Sequence, residues 1–445
     1  YSNNIVLGSK IKLYMNFFKQ ISVFLTIFVL LGFYACSSSD GVSQEGDVWF
    51  IENSHLKITI QPTGVLNVYD KKGNREWRQV ASKDKKIENV HEVSTTDKWA
   101  IAFETEVNNY PFLVKLSLPK ASADLEIEAD MENHDTPIED IPFFDPFLLD
   151  SEHCSIAVAD FCNGHLYPAD LHPFPYKRYT TALLDMPWIG VCDAKEGHGY
   201  EIILDTSDDA FFDMIPVKVG MREIVLPKAG WISSKKRFGY ARRLLCHFVS
   251  DGGYVALAKY YRTYAQNRGL IVPFSEKVKK NPNLTRLFGA VDVWGQQSVE
   301  FAKEAKKAGV EKMIMNGNST PEELKSINEL GYLTSCYDAY QDVFQVEANG
   351  KIDSGHEYLP DNIVLKDDST RMLAWCTWDG HQSMKRCPVF WERTAKLVIP
   401  EVLSKYPFLC RFIDVTTAED LYECYDERHP LTRAKKRELG VRLFD

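Results

Sequence analysis

Nowhere in these 445 residues do two cysteines form a C-x-x-C pair, and the ten cysteines make no finger-like Cys/His array. That absence removes the sequence marks of a zinc site and of a small disulfide scaffold. The cysteines read as mainly buried thiols, and no metal and no cofactor are expected. In an exported chain about two or three disulfides stay open, because spacing does not give pairing. Basic residues are not in excess: 52 Lys and Arg against 62 Asp and Glu leave a net charge of -10. They are also scattered, which argues against the basic face that displaces counterions from a duplex, so no nucleic-acid partner is expected. A glycine-rich phosphate turn is missing as well; the first turn of the later half reads WGQQS, which argues against a doubly wound nucleotide fold.

What is present is 45% hydrophobic and 12% aromatic sequence, enough for two cores, since one core seldom grows past about 250 residues. Residues 1–14 read as upstream translation and should carry no fold. Met15 opens MNFFKQISVFLTIFVLLGFYAC, in which Lys19 precedes an apolar stretch from Ile21 to Ala35. That stretch is short against the ~20 residues of a membrane span, and a small residue stands before Cys36. Residues 15–36 thus resemble a bacterial lipoprotein signal peptide, with Cys36 as the lipidated residue and 37–46 as a tether. An uncleaved N-terminal anchor is the alternative. Either way the chain is expected outside the cytoplasm, with the membrane as a partner through a lipid anchor on the outer membrane or cell surface.

Residues 47–250 alternate as half-buried antiparallel strands do. Leu56, Ile58 and Ile60 interleave with Lys57, Thr59 and Gln61, and GVLNVYDKKGNREW supplies strand, turn and strand. Phe112 to Leu118 and Leu125 to Ala129 repeat the pattern, and Trp188 to Val191, Tyr200 to Leu204 and Leu244 to Val249 continue it. A large β-sandwich is expected. IPFFDPF and GHLYPADLHPFPYKRY read as long irregular loops, in which His165 and His172 match no ligand spacing and are assigned to packing.

Residues 251–284 hold a helix, with Tyr254, Leu257, Ala258, Tyr261, Tyr264 and Ala265 at helical spacing, and then the linker LIVPFSEKVKKNPN. From 285 to 445 the pattern changes to βα units. Apolar runs at Leu287–Trp294, Lys312–Asn316, Leu333–Asp338 and Leu409–Val415 alternate with helical stretches at Val299–Ala308, Pro321–Leu330, Pro388–Ser404 and from Thr432 onward. Each run ends on polar residues: Asp292 and Trp294, Asn316, Asp338 with Tyr340 and Asp342, and Asp414. Barrel enzymes gather catalytic groups at that edge. Asp292 and Trp294 share a parity with Phe288 and Ala290, and Asp414 shares one with Cys410 and Phe412, which aims these groups inward. Four units are half of an eight-stranded barrel.

The opening IENSHLKITIQPTGVLNVYDKKGNREW, the segment DMPWIGV, the helix YYRTYAQNRG and above all FIDVTTAEDLYECYDERHPLTR resemble bacterial glycoside hydrolases related to endo-α-N-acetylgalactosaminidases. The resemblance spans most of residues 47–445. It implies a galactose-mutarotase-like β-supersandwich followed by a (β/α)8 TIM barrel, here an incomplete one whose later half follows residue 445. It also implies a retaining hydrolase of α-linked galacto-configured or N-acetylgalactosaminyl sugars, with an oligosaccharide or glycoprotein glycan as partner. In the related clan the nucleophile is an Asp at the end of the fourth barrel strand, which Asp414 matches; the acid/base is a Glu on a later strand, which no residue here matches. The 445-residue chain is accordingly expected to be inactive by itself.

A retaining glycosidase needs two carboxyls about 5 Å apart, one attacking and one protonating. Asp414 is the candidate nucleophile, against the plainer reading that it caps a turn. Glu423, close in chain, is disfavoured as the acid. Asp292, Asn316, Asp338, Asp342 and Asp379 are candidates for sugar hydroxyls, and Trp294, Tyr340 and Trp378 for stacking on sugar faces; the competing reading is core tryptophans and loop-capping aspartates. Cys376, Cys387, Cys410 and Cys424 lie near the same edge but lack a recognisable histidine partner, His429 being the nearest. The alternative function is a non-catalytic surface carbohydrate-binding lipoprotein.

Overall fold

A computed structural model describes residues 40–80, 85–160, 163–180, 183–344, 360–376, 380 and 382–444. The segment read as a signal peptide, with Cys36, and the pair Trp378 and Asp379 lie outside the described residues. No helix among the described residues is long and apolar enough to cross a membrane.

Among the described residues the first unit, 41–249, consists of antiparallel sheets of five, four and nine strands. Leu56–Ile60 shows why the chain folds this way: its burial alternates residue by residue, with Leu56, Ile58 and Ile60 inside, as a half-buried strand requires. The inner faces of all three sheets share one core, including Ile58 and Val68, Leu116 and Ile127, and Phe212 and Trp231. Each fully buried side chain of this kind stabilises the fold by about 1.5–3 kcal/mol before entropy is counted.

The expected tether, 37–46, is in part a strand: Gly41–Glu45 pairs with Val48–Glu52. Gly46 makes this possible by taking φ 59° at the first of the two turn residues, a hairpin geometry that glycine adopts without steric cost. The loops expected around GHLYP also include regular structure, since Cys154–Asp160 pairs with Asn163–Pro168. His165 lies on that second strand, pairs with Asp160 and stacks on Tyr167. His172 faces the Glu223 carbonyl at 3.2 Å.

The helix Gly253–Asn267 packs Leu257, Tyr261 and Ala265 onto Trp188, Ile203 and Leu245 of the nine-stranded sheet. The stretch read as a linker carries a short helix, Phe274–Lys280, and a 3-10 turn, Pro282–Leu287, neither with a buried residue.

The second unit is built on a parallel sheet of β1 (Val291–Trp294), β2 (Met313–Asn316), β3 (Leu333–Asp338) and β4 (Cys410–Ile413), in the order β1-β2-β3-β4 among the described residues. β1 is shorter than its apolar run because Ala290 closes a turn onto Leu287. Helices α1 (Val299–Lys307), α2 (Pro321–Glu329), α3 (Trp391–Lys405) and α4 (Arg433–Phe444) follow the strands. The start of α2 is set by a capping box between Thr320 and Glu323. Between β3 and α3 the sequence reading missed a small antiparallel sheet of Asp342–Phe344, Gln382–Lys385 and Leu373–Cys376.

Strand order never reverses in the parallel sheet, and its helices cover one face. Val293, Met313 and Met315 pack under α1 and α2, Cys336 under Leu324, and Ile413 near Trp391 of α3. That is a singly wound arrangement, unlike the two-sided cover of a doubly wound sheet. The two units are bolted together by α4: Arg433 reaches Asp209 at 2.6 Å and the Ser233 carbonyl at 3.0 Å, and Arg437 forks onto Asp208 at 2.7 and 2.9 Å.

Candidate active site

β4 ends by handing Asp414 to a sharp turn. The Asp414 N–H donates to the Asp338 carbonyl at 2.9 Å, one step beyond the strand, and Thr416 N–H donates back to the Asp414 carbonyl at 2.7 Å. Val415 between them has φ 56°. A β-branched residue there is a true outlier, costing about 1–3 kcal/mol, and such strain clusters at functional sites. The turn is closed by the main-chain oxygen of Asp414, which leaves the carboxylate for another partner. That partner is the Tyr337 hydroxyl, 2.5 Å from Oδ2. Burial first, then the hydrogen bond to Asp414 and the charge of that carboxylate, raise the Tyr337 phenol pKa, so the hydroxyl stays a neutral donor.

Tyr337, Phe412 and Trp294 make an aromatic floor beside Asp414. Tyr337 and Phe412 are register partners on β3 and β4 with rings 6.1 Å apart. Phe412 meets Trp294 edge-on at 4.7 Å, although β1 and β4 are at opposite margins of the sheet, so this face is concave. The three side chains are 52%, 37% and 47% exposed, which leaves ring surface free for a ligand. Asp292 joins the same face: it accepts from Trp294 Nε1 at 3.2 Å and from Asn316 Nδ2 at 2.5 Å, and Asn316 also reaches the Val293 carbonyl at 3.3 Å. The inward parity read for Asp292 with Trp294 and for Phe412 with Asp414 therefore holds in the structure.

A charged network adjoins the floor. Asp342 pairs with Lys385 at 3.1 Å, Lys385 with Glu419 at 2.7 Å, and Glu419 with Lys436 at 2.9 Å. Burial raises the Asp342 pKa despite Lys385, with Glu419 and Asp414 adding to the rise. Burial also works against the Lys385 ammonium, but Glu419 and Asp342 outweigh it and hold its pKa above the ordinary value. Asp342 is thus electrostatically coupled to Asp414 while remaining committed to a lysine. Tyr337, Lys385 and Glu419 were missed by sequence reasoning. Alternation along β3 would have found Tyr337, since Ser335 and Tyr337 share the inward parity; no local pattern announces the other two.

Asp338 and Tyr340 are not brought to this cluster. They lie toward the helix-covered side: Tyr340 is 0% exposed among Trp391 and Ala395, with no ring face free for stacking. Asp338 is buried, accepts from the Tyr340 hydroxyl at 3.1 Å and is paired with Arg411. Their expected sugar contacts are corrected to a buried ion pair and its supporting phenol, because each strand residue after an inward one faces outward. Glu423 is committed elsewhere too. It accepts from the Lys235 N–H at 2.7 Å and the Tyr425 hydroxyl at 2.9 Å, and lies 3.5 Å from Arg433. The histidine partner not recognised for the cysteines is His429, whose Nδ1 lies 3.4 Å from Cys424 Sγ; Cys424 is fully buried, which bars it from attacking a substrate. Cys387, Cys424 and His429 form one group with metal-ligand spacing, and Asp193, Glu196 and His198 another. In the second group Asp193 is already occupied, accepting from the Ser151 hydroxyl and from the Lys195 and Glu196 N–H groups.

No protein-family model matches the sequence, and no curated protein matches it. Its fold does have solved counterparts. The GalNAc complex of the alpha-N-acetylgalactosaminidase NagBb from Bifidobacterium bifidum superposes with a TM-score of 0.73 at 16% identity, covering 89% of this chain and 74% of that one. The Gal-NHAc-DNJ complex of NagBb gives the same values. The GH36 alpha-galactosidase AgaA from Geobacillus stearothermophilus covers 91% of this chain and 70% of its own at 10% identity, with a TM-score of only 0.42. At 16% identity the likeness to NagBb is a likeness of fold.

Proposed function

We propose that the protein is a retaining glycoside hydrolase of α-linked galacto-configured or N-acetylgalactosaminyl sugars, and that Asp414 is its nucleophile. The observation that carries this is the placement of one partly exposed carboxylate, Asp414, at the end of β4, beside an open aromatic floor and under the Tyr337 hydroxyl. Carbohydrate sites pair apolar ring platforms with a few fixed polar groups, and Trp294 with Asp292 and Asn316 supplies both. The fold shared with an alpha-N-acetylgalactosaminidase supports the choice of sugar. The singly wound order of β1 to β4 supports reading this sheet as strands of a (β/α)8 barrel, whose catalytic groups gather at the strand ends.

In this reading the Asp414 carboxylate attacks the anomeric carbon as the glycosidic bond breaks, a carboxylic acid on a further barrel strand would protonate the departing oxygen, and the covalent glycosyl ester is then hydrolysed with net retention by water that the same group would deprotonate. The Tyr337 hydroxyl orients the attacking oxygen and releases it as the ester forms. The N-terminal segment ending at Cys36 supports an exported, lipid-anchored enzyme acting on surface glycans; a Cys36→Ser chain should then leave the membrane fraction for the soluble one.

The direct test is release of p-nitrophenol from its α-N-acetylgalactosaminide by a chain that also holds the acid/base half of a (β/α)8 barrel. Asp414→Asn should lower turnover by about a thousandfold or more while leaving thermal unfolding unchanged. Turnover retained by the variant would remove Asp414 from the mechanism. Sugar binding without turnover by that longer chain, unaltered at Asp414, would favour a carbohydrate-binding lipoprotein instead.

A further inference from the structure

Cys387, Cys424 and His429 are all buried, and their two Sγ atoms and one imidazole nitrogen lie within 4.8 Å of one another. They are brought together from separate segments. Cys387 precedes the 3-10 turn Pro388–Phe390 ahead of α3, whereas Cys424 pairs with Leu431 across a short loop that carries His429.

The hydrogen bonds define the donor set. His429 Nε2 lies 2.7 Å from the Asp361 carbonyl; a carbonyl only accepts, so in the neutral imidazole Nε2 carries the proton and Nδ1 presents the lone pair. That lone pair faces Cys424 Sγ at 3.4 Å. Cys424 Sγ in turn accepts from the Leu365 N–H at 3.4 Å, and Cys387 Sγ lies 3.8 Å from the His429 carbonyl.

We propose that Cys387 Sγ, Cys424 Sγ and His429 Nδ1 bind a thiophilic divalent cation, zinc in the first instance. Tetrahedral zinc, with bonds of about 2.3 Å to sulfur and about 2.0 Å to nitrogen, sets its ligand atoms about 3.5–3.8 Å apart. The separation of 3.4 Å between Cys424 Sγ and His429 Nδ1 is already close to that spacing. Two thiolates and a neutral imidazole balance the ion's charge, so no net charge is buried. The carbonyl that fixes the Nε2 proton is the support a ligating histidine commonly has. Three protein donors leave the fourth vertex to water. The ion would tie the turn ahead of α3 to the segment after β4, which carries Asp414 and Glu419; it is independent of the hydrolase reading.

The test uses the full chain, purified with reductant, loaded with ZnCl2 and desalted. It should retain about one equivalent of zinc per chain. Replacement by CoCl2 should give an intense near-ultraviolet thiolate-to-cobalt band and visible bands of a tetrahedral ion. Cys387→Ser, Cys424→Ser and His429→Ala should each weaken zinc binding at least about a hundredfold, while Cys154→Ser leaves it intact. If those variants fail to fold, the cobalt spectrum of the unaltered chain decides. A folded chain without the cobalt band, zinc that persists in Cys424→Ser, or a metal-free Cys387–Cys424 disulfide found by peptide mapping would each overturn the proposal.

Discussion

The two faces of the parallel sheet put carboxylates to different uses. On the helix-covered face Asp338 is buried against Arg411 and Tyr340; on the concave face Asp414 has one phenol as partner and aromatic surface open beside it. Both stand at neighbouring strand ends and are joined by a backbone hydrogen bond, Asp414 N–H to the Asp338 carbonyl. A carboxylate paired on all sides serves the fold, because removing its cation or itself leaves a buried charge exposed to nothing. A carboxylate with spare lone pairs facing open space is the one free for chemistry. Strand parity, more than acidity, separates the two.

Mutation should separate the two faces. Beyond the loss of turnover expected for Asp414→Asn, the largest effect should be on stability. Asp338→Asn strands Arg411 and should cost about 3 kcal/mol or more in urea unfolding, whereas Asp414→Asn should change it by less than about 1 kcal/mol. Equal effects would erase the distinction between the faces. Tyr337→Phe removes the hydroxyl from Asp414 and should lower turnover about tenfold to a hundredfold, with melting temperature unchanged. A fall in stability without a fall in rate would make the phenol a packing group.

A third carboxyl, Glu201 on the strand Gly199–Ile203, sharpens the contrast. It is buried like Asp338, yet neither of its oxygens has a hydrogen-bond partner among the described residues. Burial first, then Asp124, raises its pKa well above the ordinary carboxyl range. The folded chain then holds this proton more tightly than the unfolded chain. Stability therefore falls as pH rises from the unfolded value of about 4.3 toward the raised folded value. Glu201→Gln should remove that loss, so that the variant loses less stability between pH 5 and pH 8 than the unaltered chain. Identical pH dependence in the two proteins would mean that Glu201 is not protonated inside the fold.

Much of this was legible in the residues. Leu56 to Ile60 alternates in sequence and in burial, the run Leu333 to Asp338 is β3 to the residue, and the inward sets of Asp292 with Trp294 and Phe412 with Asp414 follow from a period of two. The same rule applied to β3 selects Tyr337 over Asp338; the acid was chosen for its chemistry, and its face was overlooked. The strand Gly41–Glu45 was hidden because GVSQEG is polar on both sides of a glycine turn. Lys385, Glu419 and the Cys387–Cys424–His429 group come from segments far apart in the chain. Only the small antiparallel sheet and the loop after β4 bring them together, and no local periodicity encodes such a meeting.

The nucleophile proposed among the carboxyls near this sheet is Asp414. A 5-fluoro α-galactosaminyl fluoride tests it most directly, because fluoride leaves without a protonating group and the ring fluorine slows breakdown of the ester. Peptide mapping after incubation should find the glycosyl adduct on Asp414 and none in Asp414→Asn. An adduct on Asp292, Asp338 or Asp342, or no adduct on a chain that binds the reagent, would remove Asp414 as the nucleophile.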